Sequence, residues 1–131
     1  MATLSIFVSF EFDRDADLKN SFFAQAQENM PHRVHNSSLN EAYPNEEWKM
    51  RAESAIRECD LVIVLVGEDT HSAPGVETEV EIAYGLEKPV FQVIPQKRPY
   101  QGLPYVDDRI RWKWNRINRK IDEVWSRSQQ G

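Results

Sequence analysis

The sequence lacks most of the features that announce a function. No apolar run approaches the ~18 residues of a membrane-spanning helix. There is one cysteine, Cys59, which excludes an internal disulfide and points to a reducing compartment. It stands just before an apolar run and reads as a small core residue rather than a reactive thiol. No Gly-rich phosphate loop and no GxGxxG fingerprint is present. His32 and His35 sit three apart without a cysteine nearby, so no zinc site is expected. The first residues, MATLSIFVSF, carry no basic region, which argues against a signal peptide. A cytoplasmic location is the expectation. Positive charge is also in deficit: the net charge of −5 argues against non-specific nucleic-acid binding. The exception is RIRWKWNRINRK, residues 109–120. Tryptophans among cations can stack on bases, but the reading adopted is a strand and a helix that expose their charges.

What is present suffices for one domain. The 131 residues are 40% apolar and 28% charged, ordinary for a soluble globular chain. Four Trp, four Tyr and six Phe can fill one core. LSIFVSF (4–10) reads as a buried strand and residues 17–30 as a helix that Pro31 ends. HRVHNSS (32–38) is a short edge strand, and SLNEAYPNEEW a loop. A second helix runs from about Asn45 to Glu58, with Trp48, Ala52, Ala55 and Ile56 inward. DLVIVLVG (60–67) is β-branched and continuously apolar, as in a parallel strand covered on both faces. A helix follows over Val76–Leu86, with Pro74 suited to its first turn. KPVFQVI (88–94) is another buried strand. Pro95–Asp108 is a long loop, IRWKW (110–114) a last strand, and Asn115–Arg127 a closing helix.

Strands alternating with helices imply an α/β fold with a parallel sheet and right-handed crossovers. Ligands then bind outside the carboxyl ends of the strands. That rim collects Ser9–Asp13, Ser38–Glu46, Gly67–Pro74 and Pro95–Leu103.

The stretch GEDTHSAPGVETEVEIAYG (67–85) holds three glutamates at alternate positions. At about 100° per residue, Val76, Val80, Ala83 and Leu86 form one apolar arc. Glu81 points to solvent and Glu77 lies at the edge. Glu79 falls inside the arc, between Leu86 and Ala83. A carboxylate there is costly unless it is paired or lines a pocket. It sits near a helix N-terminus, which partly stabilises negative charge. Glu79 is therefore the candidate functional carboxylate, with an Arg or Lys pairing, or helix capping, as the plainer alternatives.

At this point the sequence resembles a known family. The first strand, the Asp13-Arg14-Asp15 stretch after it, SLNEAYPNEEW (38–48), DLVIVLVGEDTH (60–71) and APGVETEVEIA (73–83) together resemble the TIR-like domains. The likeness spans roughly residues 3–95. It is similar to the bacterial and archaeal group that includes the TIR proteins of Thoeris anti-phage systems. The resemblance implies a single TIR-like domain over residues 1–131, a flavodoxin-like three-layer fold with a parallel sheet of about five strands. Enzymatic members cleave NAD+ at the nicotinamide–ribose bond, giving nicotinamide and ADP-ribose or a cyclised form, and they use one glutamate on the helix after the third strand. Glu79 matches that glutamate. Ala73 and Gly75 stand where the family has a Ser and an aromatic, so part of the pocket wall is absent or supplied elsewhere.

On this likeness Ser9, Phe10, Asp13, Asn40, Tyr43, His71 and Ser72 are placed around Glu79 as substrate-binding candidates. Phe10 would stack on the nicotinamide or ribose. Asp13 would hold hydroxyls. Asn40 and Tyr43 belong to the loop that closes over the substrate and mediates assembly. NAD+ enters as substrate, and neither cofactor nor metal is expected. The resemblance further implies self-association and a separate effector protein that senses the product, without nucleic acid or membrane. TIR domains also serve as non-catalytic interaction modules, and that reading stays open. So does a nucleoside-deoxyribosyltransferase-like enzyme, which also uses a Glu on a related sheet. A phospho-receiver is disfavoured, because the third strand ends in Gly67-Glu68-Asp69 without the acceptor Asp in place.

Overall fold

The computed structural model describes residues 3–11, 16–35 and 46–130. Five strands form one sheet: β1 Ser5–Ser9, β2 Arg33–His35, β3 Leu61–Leu65, β4 Val90–Ile94 and β5 Arg109–Arg111. Four helices connect and cover them: α1 Ala16–Asn29, α2 Glu46–Glu58, α3 Pro74–Gly85 and α4 Trp114–Gln130. A single 3-10 turn, Thr70–Ser72, precedes α3. The strand order is β2-β1-β3-β4-β5, and every pairing is parallel. This is the flavodoxin-like order, in which the chain reverses direction across the sheet between β1 and β3.

Side-chain alternation sorts each central strand between two cores. Ile6, Val8, Leu61, Ile63, Leu65, Phe91 and Val93 pack with Phe22 and Ala26 of α1 and with Ile117, Ile121 and Val124 of α4. Phe7, Val62, Val64, Val90 and Ile94 pack on the other face with Ile56 of α2 and with Val76, Val80 and Ala83 of α3. The three layers follow from this. β3 is buried at all five positions because helices cover both of its faces, as its unbroken apolar run predicts.

Several element boundaries differ from the expectation by one to three residues. α3 begins at Pro74, two residues early, because proline at the first helical position loses no hydrogen bond. β2 covers Arg33–His35; the rest of that predicted strand lies outside the described residues. β5 ends at Arg111 rather than reaching Trp114. The chain leaves the sheet there because Trp112 and Trp114 turn onto α1. Both indoles meet the Phe22 ring, at 5.6 and 5.0 Å between centroids. Both indole N–H groups donate to Gln25 Oε1, at 3.1 and 2.7 Å.

The long loop after β4 is held by side chains. Gln92, fully buried in β4, donates from Nε2 to Leu103 O at 3.1 Å and Val106 O at 3.0 Å, and accepts from Leu103 N at 2.7 Å. Arg109 donates to the carbonyls of Gln101, Leu103 and Val106. Arg111 donates to those of Pro95 and Arg98. Gly102 turns the chain at φ +69, and a Cβ there would collide with the Gln92 amide. The two β5 arginines of the basic stretch thus order a loop.

Candidate active site

β1 ends at Ser9, whose alternation places it on the α2/α3 face together with Phe7. α3 starts at the same rim and brings Glu79 over the strand end one turn into the helix. The two side chains meet: Ser9 Oγ donates to Glu79 Oε1 at 2.6 Å. Ser9 is 0% and Glu79 6% exposed. Among the described residues no cation pairs with Glu79, and its second oxygen, Oε2, accepts no hydrogen bond. Burial pushes the Glu79 carboxyl up to about 8 from its ordinary 4.5, and the Ser9 hydrogen bond opposes that rise. Glu77 is partly buried and Glu81 exposed, as the helical projection requires. Among the described residues neither of the plainer roles for Glu79 is realised, for none of their Arg or Lys side chains pairs with it and it provides no helix cap.

The other candidates are distributed unevenly. His71 and Ser72 are exposed on the 3-10 turn that leads into α3. Ser72 Oγ donates to Asp69 O at 3.3 Å. The turn is fixed by Thr70, whose buried Oγ1 accepts from Gly67 N at 2.7 Å. Phe10 is partly buried against the α1/α4 core, across the sheet from Ser9 and Glu79. Asp13, Asn40 and Tyr43 lie outside the described residues.

The two departures in α3 have local consequences. Ala73 occupies the N-cap and supplies no side-chain cap bond to the first-turn amides. Gly75 leaves room that Trp48 uses. The ring of Trp48, on α2, passes 3.8 Å from where a Cβ on Gly75 would stand, and Trp48 is 2% exposed. An aromatic missing from α3 is thus matched by one arriving from α2. The sequence marks Trp48 only as an inner-face residue; its meeting with Gly75 is a tertiary contact that no local pattern carries.

Remaining chemical groups are otherwise engaged. Burial pushes the Cys59 thiol up to about 11, with Asp60 adding to it, so the thiol is inert at neutral pH. His32 Nδ1 accepts from Leu4 N at 3.1 Å, and His35 stacks on Phe7. No cluster of three metal-ligating side chains occurs among the described residues. Nor, among them, is any helix long and apolar enough to cross a membrane.

The model of one family, described as the Thoeris protein ThsB TIR-like domain, matches residues 7–100. The chain belongs to this family. Its α3 glutamate and the β1 serine therefore sit within the matched part of a ThsB-type TIR-like domain. No curated protein matches the chain significantly. Among solved structures, a conserved protein from Enterococcus faecalis V583 is similar, with 19% identity over 93% of this chain and 99% of that one, at a TM-score of 0.60. The CMP N-glycosidase BcmB of Clostridium botulinum has 21% identity, over 90% and 98% of the two chains, at 0.53. A prokaryotic SEFIR domain has 17% identity, over 95% and 97%, at 0.50. At these identities the likeness establishes the fold alone.

Proposed function

We propose that this ThsB-type TIR-like domain cleaves an N-glycosidic bond, with Glu79 as the catalytic carboxylate and NAD+ as the substrate. The observation that carries this is a buried carboxyl at the sheet rim that, among the described residues, has one hydrogen bond, one free oxygen and no cation. Breaking the bond between nicotinamide and ribose sends the bonding pair to the nicotinamide nitrogen and leaves oxocarbenium character at the ribose carbon. A carboxylate in a dry site stabilises that charge or holds the adjoining hydroxyls. Nicotinamide is already cationic and departs neutral, so no general acid is needed. Water then supplies hydroxide to the carbon and releases a proton, giving ADP-ribose; an internal nucleophile would give a cyclic product. Such a product would act as an anti-phage signal read by a separate effector.

Ser9 fits a positioning role in this scheme, since its hydroxyl fixes Oε1 and leaves Oε2 toward the substrate. The ionised form is the active one. Because Glu79 in the free protein titrates near 8, kcat/KM for NAD+ should rise with pH up to that value. A bound pyridinium favours ionisation, so kcat should level off at lower pH.

A second reading has its own support. The likeness to a CMP N-glycosidase runs over nearly the full length of both chains. A neutral base needs a proton to leave, and a carboxyl titrating near 8 is largely protonated at neutral pH. That reading predicts kcat/KM falling as pH rises. Both are tested by incubating concentrated protein with NAD+ or CMP beside Glu79→Gln and separating the released bases. Nicotinamide from wild type alone supports the first reading; cytosine alone supports the second. No release from either substrate would leave the domain as an interaction module.

A further inference from the structure

The Glu79 carboxyl is walled from several directions. Ser9 meets it from β1. Val64 and Val66 of β3 and Val76 and Val80 of α3 itself fill the core beside it. The side toward α2 is different. A helical side chain leans toward the helix N-terminus and covers the turn before its own Cα. For Glu79 that turn begins at Gly75, four residues back on the same face. Gly75 has no side chain to shield a carboxyl. The shield comes from another helix: Trp48 Cζ2, on α2, stands 3.8 Å from where a Cβ on Gly75 would be, and the indole is buried. That spacing admits a methyl group and nothing larger while Trp48 is in place.

Among the described residues, the elements packed against α3 bring no charge to this carboxyl. β1, β3 and β4 present Phe7, Ser9, valines, Ile94 and the neutral Gln92 on that face. Glu46, Glu47, Lys49 and Arg51 at the start of α2 are exposed, as is Glu81 on α3, and Glu77 lies at the edge. His35 of β2 stacks on Phe7. Only burial and the Ser9 bond act on Glu79, so whatever excludes water there governs its ionisation.

We propose, on the reading of Glu79 as the catalytic carboxylate, that Trp48 is its positioning residue: the indole fills the volume that Gly75 leaves open and keeps water from the α2 side of the carboxyl. Dryness gives a carboxylate its leverage on a positive transition state, because water no longer screens the pair. What matters is an apolar volume at that place, not the helix that carries it. A tryptophan grown from position 75 would enter the same space once Trp48 is shortened.

The test follows the Glu79 carboxyl carbon by NMR against pH in the free full-length chain. Wild type is compared with Trp48→Leu, Trp48→Leu/Gly75→Trp and Ile56→Ala. Ile56 is buried on the same face of α2, two turns on, and controls for loosened packing. Trp48→Leu admits water, and the Glu79 midpoint should fall by about one pH unit or more. The double variant should return it toward the wild-type value. Ile56→Ala should lower the urea midpoint and leave the Glu79 titration in place. At a pH where Glu79 is ionised in every variant, kcat for NAD+ should fall in Trp48→Leu and recover in the double variant, with KM changing less. Circular dichroism checks folding; should Trp48→Leu not fold, Trp48→Phe is read in its place, with a smaller shift in the same direction. An unchanged midpoint without the indole, no recovery in the double variant, or an equal fall in Ile56→Ala would overturn the proposal. The titration reads Glu79 whether or not the protein turns over NAD+. A midpoint that moves as expected without any base release keeps Trp48 as the wall and sinks the catalytic reading alone.

Discussion

Gln92 and Glu79 are both polar, both buried and both in the layer formed by α2 and α3, yet their surroundings differ. Gln92 has both of its amide hydrogens and its oxygen engaged by the backbone of residues 103–106. Among the described residues Glu79 has one short bond from Ser9 and an oxygen that accepts none. A saturated polar group ties chain segments together, and without Gln92 the Leu103 N–H would be a buried orphan. An unsaturated one holds capacity in reserve for a ligand. The contrast separates a structural clamp from a candidate catalytic group without reference to sequence kinship.

If the contrast is sound, the two residues should fail in opposite ways. Glu79→Gln should abolish base release by at least about a thousandfold, roughly 4 kcal/mol of barrier, while leaving the protein folded. Gln92→Leu should do the reverse. It strands the Leu103 N–H, while the Leu103 and Val106 carbonyls keep Arg109 as donor, and should cost about 1–3 kcal/mol in a urea melt, with the residual folded protein still active. An active Glu79→Gln, or a stable Gln92→Leu, would break the distinction.

A pH series sharpens it further. The folded-state pKa of Glu79 is raised, so the folded protein holds a proton that the unfolded chain releases above about 4.5. That contribution is fully present below pH 4.5 and is lost as pH rises through 8. Glu79→Gln removes the penalty. It should match wild type near pH 4.5 and exceed it by roughly 3–4 kcal/mol at pH 7–8. Gln92 does not titrate, and the difference between Gln92→Leu and wild type should stay flat across the same range. The smallest effect is expected of Ser9→Ala. It removes the one bond that favours the ionised carboxyl, so the rise of kcat/KM for NAD+ should move to higher pH, with about 1 kcal/mol lost in stability at acid pH. Ser9→Thr, which keeps the hydroxyl, should restore the wild-type profile.

Both residues interrupt an apolar pattern, and that is what the sequence displays. Glu79 breaks a helical arc, and the projection places it among Val76, Ala83 and Leu86 as found. Gln92 breaks the run in KPVFQVI just as plainly, but a lone amide in a strand has no local partner to reveal its task. Its partners lie eleven and fourteen residues on. The layers and element order follow from periodicity because β3 carries an unbroken apolar run and α3 an apolar arc broken at Glu79. The end of β5 did not, because Trp112 and Trp114 are β-formers by composition and are drawn off by Phe22 and Gln25, nearly ninety residues away. Phe10 shows the same limit at one residue's scale. Its place beside Ser9 suggested a shared pocket, whereas strand alternation sends it to the opposite core.

The Gln92 clamp also divides the segment after β4 into two parts with different prospects for change. Residues 102–106 are locked at three points and contain a glycine that tolerates no side chain. Residues 96–99 are exposed, and the hydrogen bonds that Arg111 gives there go to backbone carbonyls, which any residue provides. Insertions, tags or a grafted recognition loop would be absorbed between Gln96 and Pro99 while the neighbouring half keeps its shape. The segment is an evolvable patch with a fixed hem, and variation in this part of the chain should concentrate on one side of Gly102.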